Sequence, residues 1–85
     1  MILHYKKTFK EQYEKLPVPI RKRVDDKLKL LLSDPHHPSL QIKKMKGSEG
    51  IWEGRISRSY RFTFQIEGDS CILRKLGKHE ILRKP

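Results

Sequence analysis

Cysteine, acidic side chains and long apolar runs are all scarce in this chain of 85 residues. Its one cysteine, Cys71, cannot form an internal disulfide, and no Cys2His2-type spacing is present, so both staples of small secreted folds are missing. No stretch approaches the roughly 18 apolar residues of a membrane span. The opening Met1-Ile2-Leu3-His4-Tyr5-Lys6-Lys7 has neither the apolar core nor the small-residue cleavage site of a signal peptide. A reduced, cytoplasmic protein is expected. The length excludes a multidomain enzyme, and residues 1–85 read as a single domain. A chain this short buries only roughly 60% of its unfolded surface, which leaves room for one small core of helix on sheet or helix on helix. Repeats, low-complexity tracts and Ser/Gly linkers are absent as well.

What the chain has in abundance is positive charge. Twenty Lys or Arg stand against ten Asp or Glu, a formal net charge of +10. Residues 1–42 carry nine basic and five acidic groups and residues 43–85 carry eleven and five, so basicity is built into the fold and is no tail. Such an excess favours a polyanionic partner: nucleic acid, an acidic protein or an anionic membrane surface. No amphipathic helix carries the excess, so the membrane reading lacks support.

Ile2 to Lys6 reads as a short strand. Thr8-Phe9-Lys10-Glu11 has the form of a capping box, which places a helix start there, and Phe9, Tyr13 and Leu16 make one apolar stripe. Pro17-Val18-Pro19 ends that helix. A second helix starts near Pro19, runs to Ser33 with Ile20, Val24, Leu28, Leu31 and Leu32 on its buried face, and stops at Asp34-Pro35. Beyond the loop the period changes to two. Leu40 to Lys46 reads as a strand and Gly47 to Gly50 as a turn. Trp52, Gly54 and Ile56 alternate with Glu53, Arg55 and Ser57, and Tyr60, Phe62, Phe64 and Ile66 alternate with Arg61, Thr63 and Gln65. Arg58-Ser59 and Glu67-Gly68-Asp69 are turns, and Ser70 to Leu76 is the last strand. Gly77 then releases a short tail at the end of the sheet. The expected fold is α+β: β-α-α followed by a four-stranded antiparallel meander, with the helical hairpin on one sheet face and the other face open to solvent.

Arg55 and Arg61 project from that open face on adjacent strands. They are either solvated arginines paired with Glu53 or Asp69, or a clamp whose planar forks match phosphate oxygens. His79 is either a surface residue or a proton carrier titrating near neutrality, which suits RNA cleavage through the ribose 2′-hydroxyl. Lys43, Lys44 and Lys46 form a basic cluster that is a solvated run or a phosphate-steering group. Adjacent His36 and His37, with no cysteine nearby, do not make a metal site. Cys71 reads as a small core residue, and Trp52, Tyr60, Phe62 and Phe64 as core rather than a base-stacking platform.

The element order, the size, Lys46-Gly47, Trp52-Glu53-Gly54-Arg55-Ile56, Tyr60-Arg61-Phe62-Thr63-Phe64 and the ending Gly77-Lys78-His79 together resemble the RelE/ParE superfamily of toxin–antitoxin toxins. The spacing Trp-x-x-Arg-Ile-x-x-x-Tyr-Arg is similar to YoeB-type members and Gly-x-His to YafQ-type members. The resemblance implies a RelE-like fold and a ribosome-dependent mRNA endonuclease, or mRNA interferase, that works by 2′-hydroxyl attack without metal or cofactor. Its implied partners are mRNA on the ribosome and a cognate antitoxin. Arg61 falls on the phosphate-stabilising arginine, Arg55 on a neighbouring basic position, and His79 on the catalytic position near the C-terminus. Lys43 falls where some relatives place a glutamate or histidine base. Lys44, Lys46, Arg58, Arg74 and Lys78 are the implied RNA-binding cations. The chain departs from the pattern at Lys43, and in lacking an aromatic residue after His79. The rival readings are a ParE-like DNA gyrase inhibitor and a non-catalytic antitoxin-binding member.

Overall fold

The computed structural model describes residues 1–85. Strand β1, Ile2–Tyr5, leads into helix α1, Lys7–Glu14, and helix α2, Val18–Ser33. A 3₁₀ turn at Pro38–Leu40 precedes strands β2, Lys43–Lys44, β3, Trp52–Arg55, β4, Arg61–Glu67, and β5, Ser70–Gly77, and a second 3₁₀ segment spans His79–Leu82. The sheet order is β1-β5-β4-β3-β2. The four later strands form the expected antiparallel meander, and β1 joins it by pairing parallel with β5, which makes the sheet five-stranded and mixed. Helices and sheet thus form the expected α+β layers.

The core lies between the helical hairpin and one sheet face. Val24, Leu28 and Leu31 supply a single stripe of α2, Phe9 supplies α1, and Phe62, Phe64, Cys71, Leu73 and Leu76 supply the sheet. Burial pushes the Cys71 thiol up to about 11, as expected of a small core residue. Gly54 faces Phe62 across β3 and β4, and a Cβ there would run into the Phe62 ring. The absent side chain lets the aromatic ring lie flat on the neighbouring strand.

Four local expectations are corrected. Thr8 does not cap α1, because the Lys6 amide is held by the Leu73 carbonyl at the end of β1 and the helix begins at once, with Lys6 at its N-cap. Thr8 is already inside the first turn. Leu32 is 44% exposed, since it lies roughly 80° around the helix from Val24. The strand expected from Leu40 shrinks to Lys43–Lys44, because Leu40 closes a 3₁₀ turn and Gln41 takes a left-handed φ of 44°.

The fourth correction bears on function. The second sheet face is not open along its length: Thr63 is fully buried and Glu53 is 7% exposed. Residues 79–85 fold back over it as a strap. Ile81 is buried, Thr63 Oγ1 donates to the Pro85 carbonyl at 3.1 Å, and Arg74 Nε donates to the same oxygen at 3.1 Å. A Cβ at Gly77 would press on Ile81, so this glycine admits the strap instead of merely releasing a tail. Arg74 can reach it because a bulge in β5 leaves Arg74 unpaired between Leu73, opposite Phe64, and Lys75, opposite Thr63.

Candidate functional site

Arg55 and Arg61 are direct register partners, at the ends of β3 and β4 that adjoin their connecting turn. Alternation sends both side chains to the strap-bearing face. Neither arginine pairs with a carboxylate, contrary to the solvated reading: Glu53 is bound by Lys43 at 3.0 Å and Asp69 by the Met1 amino group at 3.4 Å. The turn between the strands supplies carbonyl oxygens instead. Arg61 Nη1 donates to Ser57, Tyr60 and Arg58 carbonyls at 2.6, 3.0 and 3.2 Å, and Arg55 Nε donates to the Ser57 carbonyl at 3.3 Å. Arg55 Nη1 reaches Gln41 Oε1 at 3.2 Å. Neutral dipoles orient two like charges side by side and leave their formal charge uncompensated. An anion placed between them would be held by two guanidinium forks.

His79 comes to the same corner by register. Gly77 is the β5 partner of Arg61, and His79 opens the 3₁₀ segment two residues on, exposed to solvent. The strap is what holds it there: Ile81 is its apolar anchor, and the Thr63 and Arg74 hydrogen bonds fix its far end.

The other cations divide. Lys43 stands on the arginine face, next to Glu53 in register, and its ammonium is engaged by that carboxylate. Lys44, one residue on, turns to the opposite face, where its ammonium lies 5.4 Å from the Trp52 ring centroid. Lys46 is exposed beside the Gly47 turn, and Arg58 is exposed at the β3–β4 turn. Lys78 sits 5.7 Å over the Tyr60 ring. Arg74 faces the site, but its guanidinium is occupied by Gln65 and the Pro85 carbonyl. Arg55 and Arg61 are therefore paired directly, His79 follows two residues after the register partner of Arg61, and Lys43 lies on the same face two residues back and one strand over, held by Glu53; Lys44, Lys46, Arg58, Arg74 and Lys78 do not join the pair.

Two residues of the site were not singled out from sequence. Glu53 and Thr63 are register partners in one row across the face, Lys43–Glu53–Thr63–Lys75. Their place in the outward-facing alternation was readable; their burial depends on a strap that local pattern does not announce. His36 and His37 line a cleft with Leu31, Pro35 and Trp52, away from this row. His37 Nδ1 accepts from the Ser39 amide at 3.1 Å, so this ring caps the first 3₁₀ turn.

In sequence, no family model matches the chain and no curated protein is similar to it. Among solved structures it is similar to a YoeB/ParE toxin from Agrobacterium tumefaciens, with a TM-score of 0.79 and 19% identity over 93% of this chain and 99% of that one. YafQ from E. coli strain BL21(DE3) gives a TM-score of 0.79 at 10% identity, over 94% of each chain. The RelB–RelE antitoxin–toxin complex from Methanococcus jannaschii gives 0.75 at 25% identity, over 93% of each. The chain therefore has the RelE-like α+β fold that these toxin structures share.

Proposed function

We propose that this protein is the toxin of a toxin–antitoxin pair and that it acts in the cytoplasm as a ribosome-dependent mRNA endonuclease. The observation that carries the reading is the Arg55–Arg61 register pair, free of carboxylate partners, with His79 held beside it. Cleavage then needs three things. A base removes the ribose 2′-hydroxyl proton, the 2′-oxygen attacks phosphorus, and an acid protonates the departing 5′-oxygen. In this reading Arg55 and Arg61 stabilise the negative charge that builds on the phosphoryl oxygens, and His79 moves a proton. Lys43, Lys46, Arg58 and Lys78 would guide the RNA backbone, and ribosomal RNA with it.

The antitoxin partner is supported by the charge of +10 and by the Methanococcus jannaschii neighbour, which is itself an antitoxin–toxin complex. An acidic segment laid along the lysines would compete with RNA for one surface. The test is primer extension on translating ribosomes incubated with the free protein. Cuts within the codon in the decoding site are expected. Intact mRNA overturns the nuclease reading; inhibited gyrase supercoiling alongside it would put the ParE-like reading in its place, and neither effect would leave a non-catalytic antitoxin binder.

A further inference from the structure

Glu53 is a buried carboxylate for which the folded protein offers an incomplete set of partners. Oε1 meets Lys43 Nζ at 3.0 Å, while Oε2 is buried without any hydrogen-bond partner. An ionised oxygen left unpaired inside a protein is destabilising, and such an atom calls for a functional explanation. On the sheet face itself its neighbours in register are cationic, with Lys43 opposite on β2, Arg55 two residues along its own strand, Arg61 opposite Arg55 on β4 and Lys75 beyond Thr63 on β5; the strap brings Glu80 near Gly77 and an oxygen of Pro85 to the adjoining Thr63.

We infer that Glu53 is the base that accepts the 2′-hydroxyl proton, an inference that rests on the nuclease reading above. In-line displacement puts the attacking and leaving oxygens on opposite sides of phosphorus, so base and acid must flank the phosphate site from opposite sides. The register provides this. Glu53 precedes Arg55 on the same face of β3, about 7 Å along the strand. His79 lies past Gly77, which is opposite Arg61 on the far strand. A phosphate seated between the arginines has Glu53 at one corner and His79 at the diagonal one. Lys43 covers the carboxylate in the free protein, and its side chain is 73% exposed and free to swing onto an incoming phosphate. Glu53 then takes the 2′-hydroxyl proton as the 2′-oxygen forms its bond to phosphorus. The phosphorus–5′-oxygen bond breaks, and protonated His79 delivers its proton to that oxygen. The products are a 2′,3′-cyclic phosphate and a 5′-hydroxyl, and exchange with water resets both side chains.

The test is single-turnover cleavage on programmed ribosomes by the wild-type protein and the variants Glu53→Gln, Glu53→Asp and Lys43→Ala, each checked for folding by circular dichroism. Glu53→Gln, nearly isosteric, should slow the chemical step about 10²–10⁴-fold with apparent KM within about threefold. Glu53→Asp should restore part of the rate. Lys43→Ala should mainly raise KM, which separates a proton acceptor from a mere ion-pair partner, since loss of the pair alone would make Lys43→Ala and Glu53→Gln equivalent. A folded Glu53→Gln protein with a rate near wild type, or equal kcat losses in the two variants, overturns this inference alone. A wild-type protein that cuts nothing overturns the nuclease reading and this inference with it.

Discussion

Arg55 and Arg61 face each other in register across β3 and β4, and the carbonyl of Ser57 in the turn between them accepts a hydrogen bond from both. A turn that ties two guanidinium groups to one oxygen fixes their separation before any ligand arrives. This preorganisation lets charge stabilisation act without reorganisation at the moment of reaction.

Replacing Arg61 should therefore affect the chemical step more than binding. Arg61→Gln is expected to lower kcat about 10²–10³-fold, the usual loss for one preorganised donor. Arg61→Lys should recover little, because the turn carbonyls engage Nη1 alone and leave the Nε–Nη2 edge of the guanidinium for an anion, a planar pair of donors that an ammonium lacks. Single-turnover rates on programmed ribosomes measure both.

The strap makes a separate prediction. Ile81→Ala removes its buried anchor and should reduce stability by about 2–5 kcal/mol, read from urea midpoints. Thr63→Val keeps the volume but loses the bond to Pro85, so amides from Ile81 to Arg83 should exchange faster while those of β4 stay protected. If activity needs His79 at the arginine corner, both variants lose it in step with strap opening.

Gly54 should tolerate no side chain. Gly54→Ala places a Cβ against the Phe62 ring, and a loss of about 1–3 kcal/mol is expected from overpacking the core. Thermal melts show it directly, and Phe62→Leu in the same chain should recover part of the loss.

Cys71 gives the pH dependence. Its folded-state value, about 11, lies above the ordinary 9.0, so the folded protein holds this proton more tightly than the unfolded chain does. The resulting stability is complete below pH 9 and disappears as pH rises toward 11. Urea midpoints measured across that range should fall more steeply for the wild-type chain than for Cys71→Ala. The native thiol should also resist alkylation at pH 8 until the protein unfolds.

Much of the fold was legible where one face of an element meets the core. The alternation of Trp52, Gly54, Phe62 and Phe64, and the helical spacing of Val24, Leu28 and Leu31, fixed which sides are buried. The Arg55–Arg61 juxtaposition followed from the same alternation. What local pattern could not carry were pairings distant in sequence. The parallel register of Leu3 with Cys71 and the bond from Thr63 to Pro85 both join segments that no short window contains. Glu53 was overlooked for this reason: on an open face it would be one more solvated glutamate, and only the strap and Lys43 make it a buried group with an oxygen to spare. Thr8 shows the reverse case, a capping motif overruled because β1 pairing already held the chain two residues earlier, at Lys6.

Attack by a ribose hydroxyl on its own phosphate, supported by the arginine pair, requires that hydroxyl to be present. The decisive substrate is an mRNA carrying a single 2′-deoxyribose immediately 5′ of the cut position, programmed into translating ribosomes and compared with its all-ribose twin. The all-ribose message should be cleaved to a 2′,3′-cyclic phosphate end, with no cut at the deoxy position. Cleavage at that position at an undiminished rate would rule out attack by the 2′-hydroxyl.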